Sequence, residues 1–240
     1  MSQYNRPRAV ALAQQAWDAL RQGRWAAARE AAQQAVEADP TLIDGYRTLG
    51  YAQVALEDLA GARQTYERAF ALTREDPWLW LARGILETHE GHLDRAVASY
   101  REAIRLHSPE PRIHAEALWR LADLLHDVDE EQRLLEEAYA LEPGNAQVLS
   151  GLGEVYRRRG EYERAVPLLR QARAHNPTLA IPAYGLALSL AALGQWQAAQ
   201  AEAQEAVRLR PGHAQFEKAA RAIEHAIAQG AAEGQPAWRG

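Results

Sequence analysis

The sequence predicts an all-α fold, an α-solenoid of about six helix–turn–helix units followed by a C-terminal capping helix. Three observations carry that expectation. Small residues recur at a pitch of about 34 residues along most of the chain. Apolar residues between them fall three and four apart, the spacing of one helical face, as in Leu149, Leu152 and Tyr156. Glycine and proline punctuate these stretches where a helical hairpin needs its turns, as at Gly160 and Pro177.

The pitch defines the units. Starts at Ala9, Ile43, Pro77, Arg112, Ala146 and Ala180 are separated by 34, 34, 35, 34 and 34 residues. The eighth residues are then Ala16, Gly50, Gly84, Trp119, Gly153 and Ala187, and the twentieth are Ala28, Ala62, Ala96, Glu131, Ala165 and Ala199. All six twenty-seventh residues are alanine: Ala35, Ala69, Ala103, Ala138, Ala172 and Ala206. Close helix packing explains the rows. The first two face each other inside a unit, and the third meets the first helix of the next unit. Larger residues fill the interior between them, among them Leu49, Trp80, Leu152 and Leu186. Trp25, Leu59, Leu93, Tyr162 and Trp196 start the second helices, with Tyr66 and Tyr100 deeper in them.

This register divides the chain into a lead-in over 1–8, a six-unit array over 9–213, a capping helix over 214–228 and a flexible tail over 229–240. Arg6-Pro7 opens the first helix. The capping helix turns Phe216, Ala220, Ile223 and Ile227 inward and leaves Glu217, Arg221 and Glu224 to water, as the end of a repeat array must. Pro167 lies near the start of its helix and predicts a mild bend at most. Trp238 is an aromatic in the tail with no folding role, a candidate for docking into a groove of this molecule or of a second copy.

The fourth unit, 112–145, is irregular. Trp119 and Glu131 stand where small residues belong, and forcing an indole into that place would cost about 1–3 kcal/mol. A slip of the first helix by three residues resolves the conflict, bringing Leu118, Leu121, Ala122 and Leu125 inward. It predicts a first helix lengthened at its start near Pro109 and Pro111. It also predicts a compressed turn around 126–129, with Asp129 as the cap and Gln132 completing a capping box.

Composition narrows the function. Hydrophobic residues make up 48% of the 240, too many for a disordered chain. The net charge of −5 argues against nucleic acid as the main partner. Cysteine is absent, which removes disulfides, thiol catalysis and thiolate metal sites. Neither a signal peptide nor a lipidation cysteine is found, so a cytoplasmic protein is expected. The uncharged stretch 177–201 is broken by Pro182, Gly185 and Ser189 and is read as repeat, not as a membrane span. Only Lys218 among the 27 basic residues is lysine, a bias of GC-rich bacterial genomes.

A Leu-Gly pair, then Tyr, Ala, Leu and Pro at the spacings of LSGLGEVYRRRGEYERAVPLLRQARAHNP resemble the tetratricopeptide repeat (TPR) unit. The resemblance covers residues 9–213. It implies a right-handed α-solenoid (superhelix) with a concave groove lined by the first helices, where a peptide or partner segment binds. Carried over, groove-facing places fall on Val10, Ala13, Trp17 and Leu20; on Asp44, Arg47, Tyr51 and Val54; and on Trp78, Leu81, Ile85 and His89. With the slip they continue on Glu116, Trp119, Asp123 and Asp127, with Arg120 beside them. Next come Gln147, Ser150, Glu154, Arg157 and Arg158, then Ile181, Tyr184, Leu188 and Ala191. Some TPR adaptors clamp a C-terminal carboxylate with lysine and asparagine, but the matching first-unit places here hold Ala13 and Trp17.

The resemblance therefore implies a non-enzymatic adaptor or scaffold. Its aromatic and aliphatic groove, Trp17, Tyr51, Trp78, Leu81, Ile85, Trp119, Tyr184 and Leu188, would take an apolar peptide or helix face. Arg47, Arg120, Arg157 and Arg158 would pair with acids on it. The alternative is a structural module that self-associates into dimers or filaments. His89-Glu90-Gly91-His92 lacks the helical spacing of a metal-binding HExxH, and the acids near His126 suit a helix start. No phosphate loop, nucleophile elbow or carboxylate pair is evident, so no enzyme, cofactor or metal is expected, and the partner is a protein or peptide.

Overall fold

In a computed structural model the protein is described over residues 4–230. Thirteen α-helices and no strand occur among the described residues. The chain divides into two compact units, 1–124 and 125–240. The first holds three helical hairpins and one further helix: α1 (Arg6–Arg21) with α2 (Trp25–Ala38), α3 (Ile43–Ala55) with α4 (Leu59–Leu72), α5 (Pro77–His89) with α6 (Leu93–Arg105), and α7 (Pro111–Leu124). The second begins with α8 (Val128–Leu141) and holds the hairpins α9 (Ala146–Arg158) with α10 (Tyr162–His175) and α11 (Ala180–Ala192) with α12 (Trp196–Leu209), then α13 (Ala214–Ala228).

Three residues separate the helices within each hairpin. The middle one is left-handed in α1–α2, α5–α6, α9–α10 and α11–α12, where it is Gly23, Gly91, Gly160 and Gly194. These glycines supply a positive φ that a side chain would penalise. In α3–α4 the same place holds Glu57, at φ 61°.

The small rows lie in the core as their pitch implies: Ala28, Ala62, Ala96, Ala165 and Ala199 are all buried, as are the six alanines of the last row. Their geometry refines the expectation about what fills the space. A Cβ on Gly50 would collide with the Tyr66 ring, one on Gly84 would lie 2.5 Å from Tyr100 Cε1, and one on Gly153 2.6 Å from Leu169 Cγ. Each glycine thus makes room for the twenty-fourth residue of its own unit, four places beyond the row of alanines it was expected to face. The first and sixth units carry alanine at both places, Ala16 with Ala32 and Ala187 with Ala203, and all four are buried. Volume is conserved across the pair, large against Gly or small against Ala. The tyrosine rings sit deep enough that burial raises the pKa of both Tyr66 and Tyr100.

The irregular fourth repeat contains the boundary of the two units. Leu118, Leu121 and Ala122 are buried and Trp119 is only half-buried, so the indole has left the tight place. Other parts of the slip are corrected. Leu125 is only half-buried and lies beyond α7. With 14 residues, α7 exceeds α5 by one, and the link to α8 keeps three residues. The cap is Asp127, whose carboxylate accepts from the Asp129 and Glu130 N–H groups at 2.9 and 3.1 Å. Gln132 instead donates to Glu136. Glu131 is buried and paired with Arg158, and Leu135 packs beneath Gly151, which replaces the partner Trp119 could not be.

Pro167 leaves α10 continuous, and α13 buries Phe216, Ala219 and Ile223 while Arg221 and Glu224 are exposed. The uncharged stretch 177–201 is divided between α11 and the start of α12, and no helix among the described residues is long and apolar enough to cross a membrane. Trp238 lies outside the described residues.

Candidate functional site

Within the first unit, α1, α3, α5 and α7, with Trp25 at the start of α2, line a cavity of about 470 Å³. Amphipathic periodicity places its walls: the buried alanines of α1 (Ala9, Ala16) point into the hairpin, which leaves Val10 and Trp17 on the other face. Val10 is 50% exposed, Trp17 39% and Tyr51 37%. Tyr51 and Trp78 meet with ring centroids 6.4 Å apart. Ile113 of α7 closes the apolar lining.

A polar frame fixes this surface. Asp76 caps α5, accepting from Trp78 N–H at 2.9 Å and Leu79 N–H at 3.3 Å. Arg47 donates to the same carboxylate from Nε at 3.0 Å and Nη2 at 2.5 Å, and to Asp44 at 3.0 Å. Its guanidinium lies 5.9 Å from the centre of the Trp78 ring. Arg47 therefore ties α3 to α5 and sets the Tyr51–Trp78 pair. It stands in the lining as predicted, but its charge is engaged within the chain.

The other predicted residues divide. Leu81 and Ile85 are 2% and 8% exposed, core residues closed to any partner, because α5 turns them into the packing. Trp119 is covered by its neighbour, with the Arg120 guanidinium 4.5 Å from the ring centre and held by Glu116 at 2.9 and 3.0 Å. In the second unit Arg157 binds Glu154, a bond that raises the Arg157 pKa, and Arg158 binds Glu131. Tyr184 packs against Phe216 of α13, with tilted rings 4.9 Å apart, and Leu188, one turn further along α11, is half-buried. All four arginines proposed as acid readers are thus neutralised inside their own units.

Sequence reasoning missed Trp25, Arg21, Glu110, Arg112 and Ile113 in the cavity lining. Trp25 was expected as interior filler, yet it is 37% exposed, on the first turn of α2. Its place two residues after Gly23 was the available signal, since a first-turn side chain projects past the hairpin end. The missed charged residues sit at helix ends, where pitch says nothing about direction. At His89-Glu90-Gly91-His92 the structure shows a helix end and turn with a His92–Glu90 contact at 3.3 Å. Among the described residues no three His, Cys, Asp or Glu side chains cluster as metal ligands.

Tetratricopeptide repeat profiles match residues 13–77, 47–111 and 81–130, and a further one matches 148–180. The chain belongs to the tetratricopeptide repeat family. No curated protein gives a significant sequence match. Solved TPR structures align over most of this chain. A chain of the APC/C hetero-tetramer Cut9–Hcn1 superposes with a TM-score of 0.77 at 17% identity, covering 90% of this chain and 43% of that one. PilF of Pseudomonas aeruginosa gives 0.77 at 15% identity, over 88% and 96% of the two chains. YrrB, described as a TPR protein with an unusual peptide-binding site, gives 0.58 at 16% identity, over 80% and 99%. The TPR chain thus spans less than half of its Cut9–Hcn1 match and nearly all of the other two. At such identities the likeness is one of fold.

Proposed function

We propose that this TPR protein is a non-enzymatic adaptor that captures a protein partner by burying an apolar segment in the cavity of its first unit. One observation carries the reading: Val10, Trp17 and Tyr51 are large and exposed, and all three line one cavity. An isolated exposed apolar residue is ordinary, whereas a concave cluster rich in tryptophan and tyrosine suits a binding anchor. The Asp76 cap and the Arg47 bridge preorganise Trp78, so little ordering entropy opposes binding. A TPR relative by fold, YrrB, is described as having a peptide-binding site, which supports the same class of partner here.

The test is capture from native extract by wild type and by Trp17→Ala/Tyr51→Ala, with thermal melts of both. Both residues are more than a third exposed, so the variant is expected to melt as wild type and to lose its partners. Identical sets of captured proteins would sink the reading. Mass that rises with concentration in wild type and not in the variant would assign the cavity to a second copy, and hence to self-association.

A further inference from the structure

We propose that Arg21 and Arg112 make the first-unit cavity selective for an extended segment in which a bulky apolar side chain is flanked by acidic residues. The proposal rests on the groove reading and adds the charge of the occupant. Six charged side chains line the cavity: Arg21, Asp44, Arg47, Glu110, Arg112 and Glu116. Asp44 and Arg47 bind each other, Arg47 is held again by Asp76, and Glu116 is held by Arg120. Those groups are satisfied before any partner arrives.

Arg21, Arg112 and the Glu110 carboxylate remain. None of the three makes a side-chain hydrogen bond or ion pair among the described residues, and all are exposed. The cavity thus offers two guanidiniums against one carboxylate, in a protein whose net charge is −5. The two arginines come from different walls, the last turn of α1 and the first turn of α7, with the aromatic floor also lining the cavity. An anchor seated on Trp17 and Tyr51 therefore shares the cavity with a cation from each of two helices. Guanidinium next to apolar surface suits carboxylate recognition, because its planar fork donates two bonds and is weakly hydrated. Glu110 disfavours fully acidic segments, so the apolar anchor stays necessary.

The experiment is selection from a random peptide display library on the full chain, on Arg21→Gln/Arg112→Gln and on Trp17→Ala/Tyr51→Ala. Selected peptides are then synthesised and their binding measured by fluorescence anisotropy. Wild type is expected to enrich Trp, Phe or Leu flanked by Asp or Glu. The arginine variant should bind those peptides about tenfold more weakly and bind their Gln-substituted analogues unchanged. On wild type alone, affinity for the acidic peptides should fall as sodium chloride rises, which keeps the test decisive should the variant fold poorly. Enrichment of apolar peptides without acidic flanks, or salt-independent binding, overturns the charge proposal and leaves the groove reading standing. Peptides that bind the tryptophan–tyrosine variant equally well, or no enrichment at all, overturn both.

Discussion

Gly50 and Tyr66 show how one missing Cβ sets a repeat. The Tyr66 ring occupies the space a side chain at 50 would take, and burial holds its phenol neutral far above neutral pH. Gly50→Ala forces either the ring or the helix to move. We expect a loss of about 1–3 kcal/mol in chemical denaturation. Tyr66→Ala should cost less in the Gly50→Ala background than alone, since the first and sixth units bury alanine at both places, Ala16 with Ala32 and Ala187 with Ala203. The same reasoning separates Arg47 from Arg21. Both are arginines near the groove, but Arg47 has two carboxylates within 3.0 Å, so its removal would loosen Trp78 before it touched any ligand.

At the scale of elements, short polar motifs join one hairpin to the next. Asp39 ends α2, and its carboxylate accepts from the Thr41 hydroxyl at 2.6 Å and the Thr41 N–H at 2.9 Å, with Arg6 of α1 at 3.0 Å. Asn176 and Thr178 repeat the turn after α10, at 2.7 and 3.1 Å. The Thr41 bonds, above all its hydroxyl, hold the Asp39 pKa below the ordinary aspartate value, with a smaller contribution from Arg6. A depressed carboxylate adds stability that is complete above its unfolded value and is lost as pH falls through the folded one. Asp39→Asn should therefore lower the melting temperature at pH 7, and the gap to wild type should narrow as the buffer is acidified below the aspartate range. A gap independent of pH would mean that Asp39 has the same pKa folded and unfolded, so that its charge contributes nothing to stability.

The whole molecule is two compact units, each with its own core. In a repeat array stability is passed between neighbours, so damage stays local. Hydrogen exchange tests this: Gly50→Ala should raise exchange chiefly in α3 and α4. Phe216→Ala, which strips α13 of the ring packed on Tyr184, should raise it in α11 to α13. Uniform acceleration in both variants would show a single cooperative core instead.

The repeat, the helix count of each hairpin, the buried alanine rows and the cap were legible in the sequence, because one-dimensional pitch maps directly onto a helix face. So were Val10, Trp17, Arg47, Tyr51 and Trp78 as cavity residues, since they fall opposite the small rows. Pitch could not show that Leu81 and Ile85 are buried, that Trp25, Arg21 and Arg112 reach the same cavity, or that four expected acid-reading arginines already have carboxylates. Those facts depend on which side chains from separate helices arrive at one place. Periodicity fixes the face a residue occupies on its own helix, whereas tertiary packing decides what stands across from it.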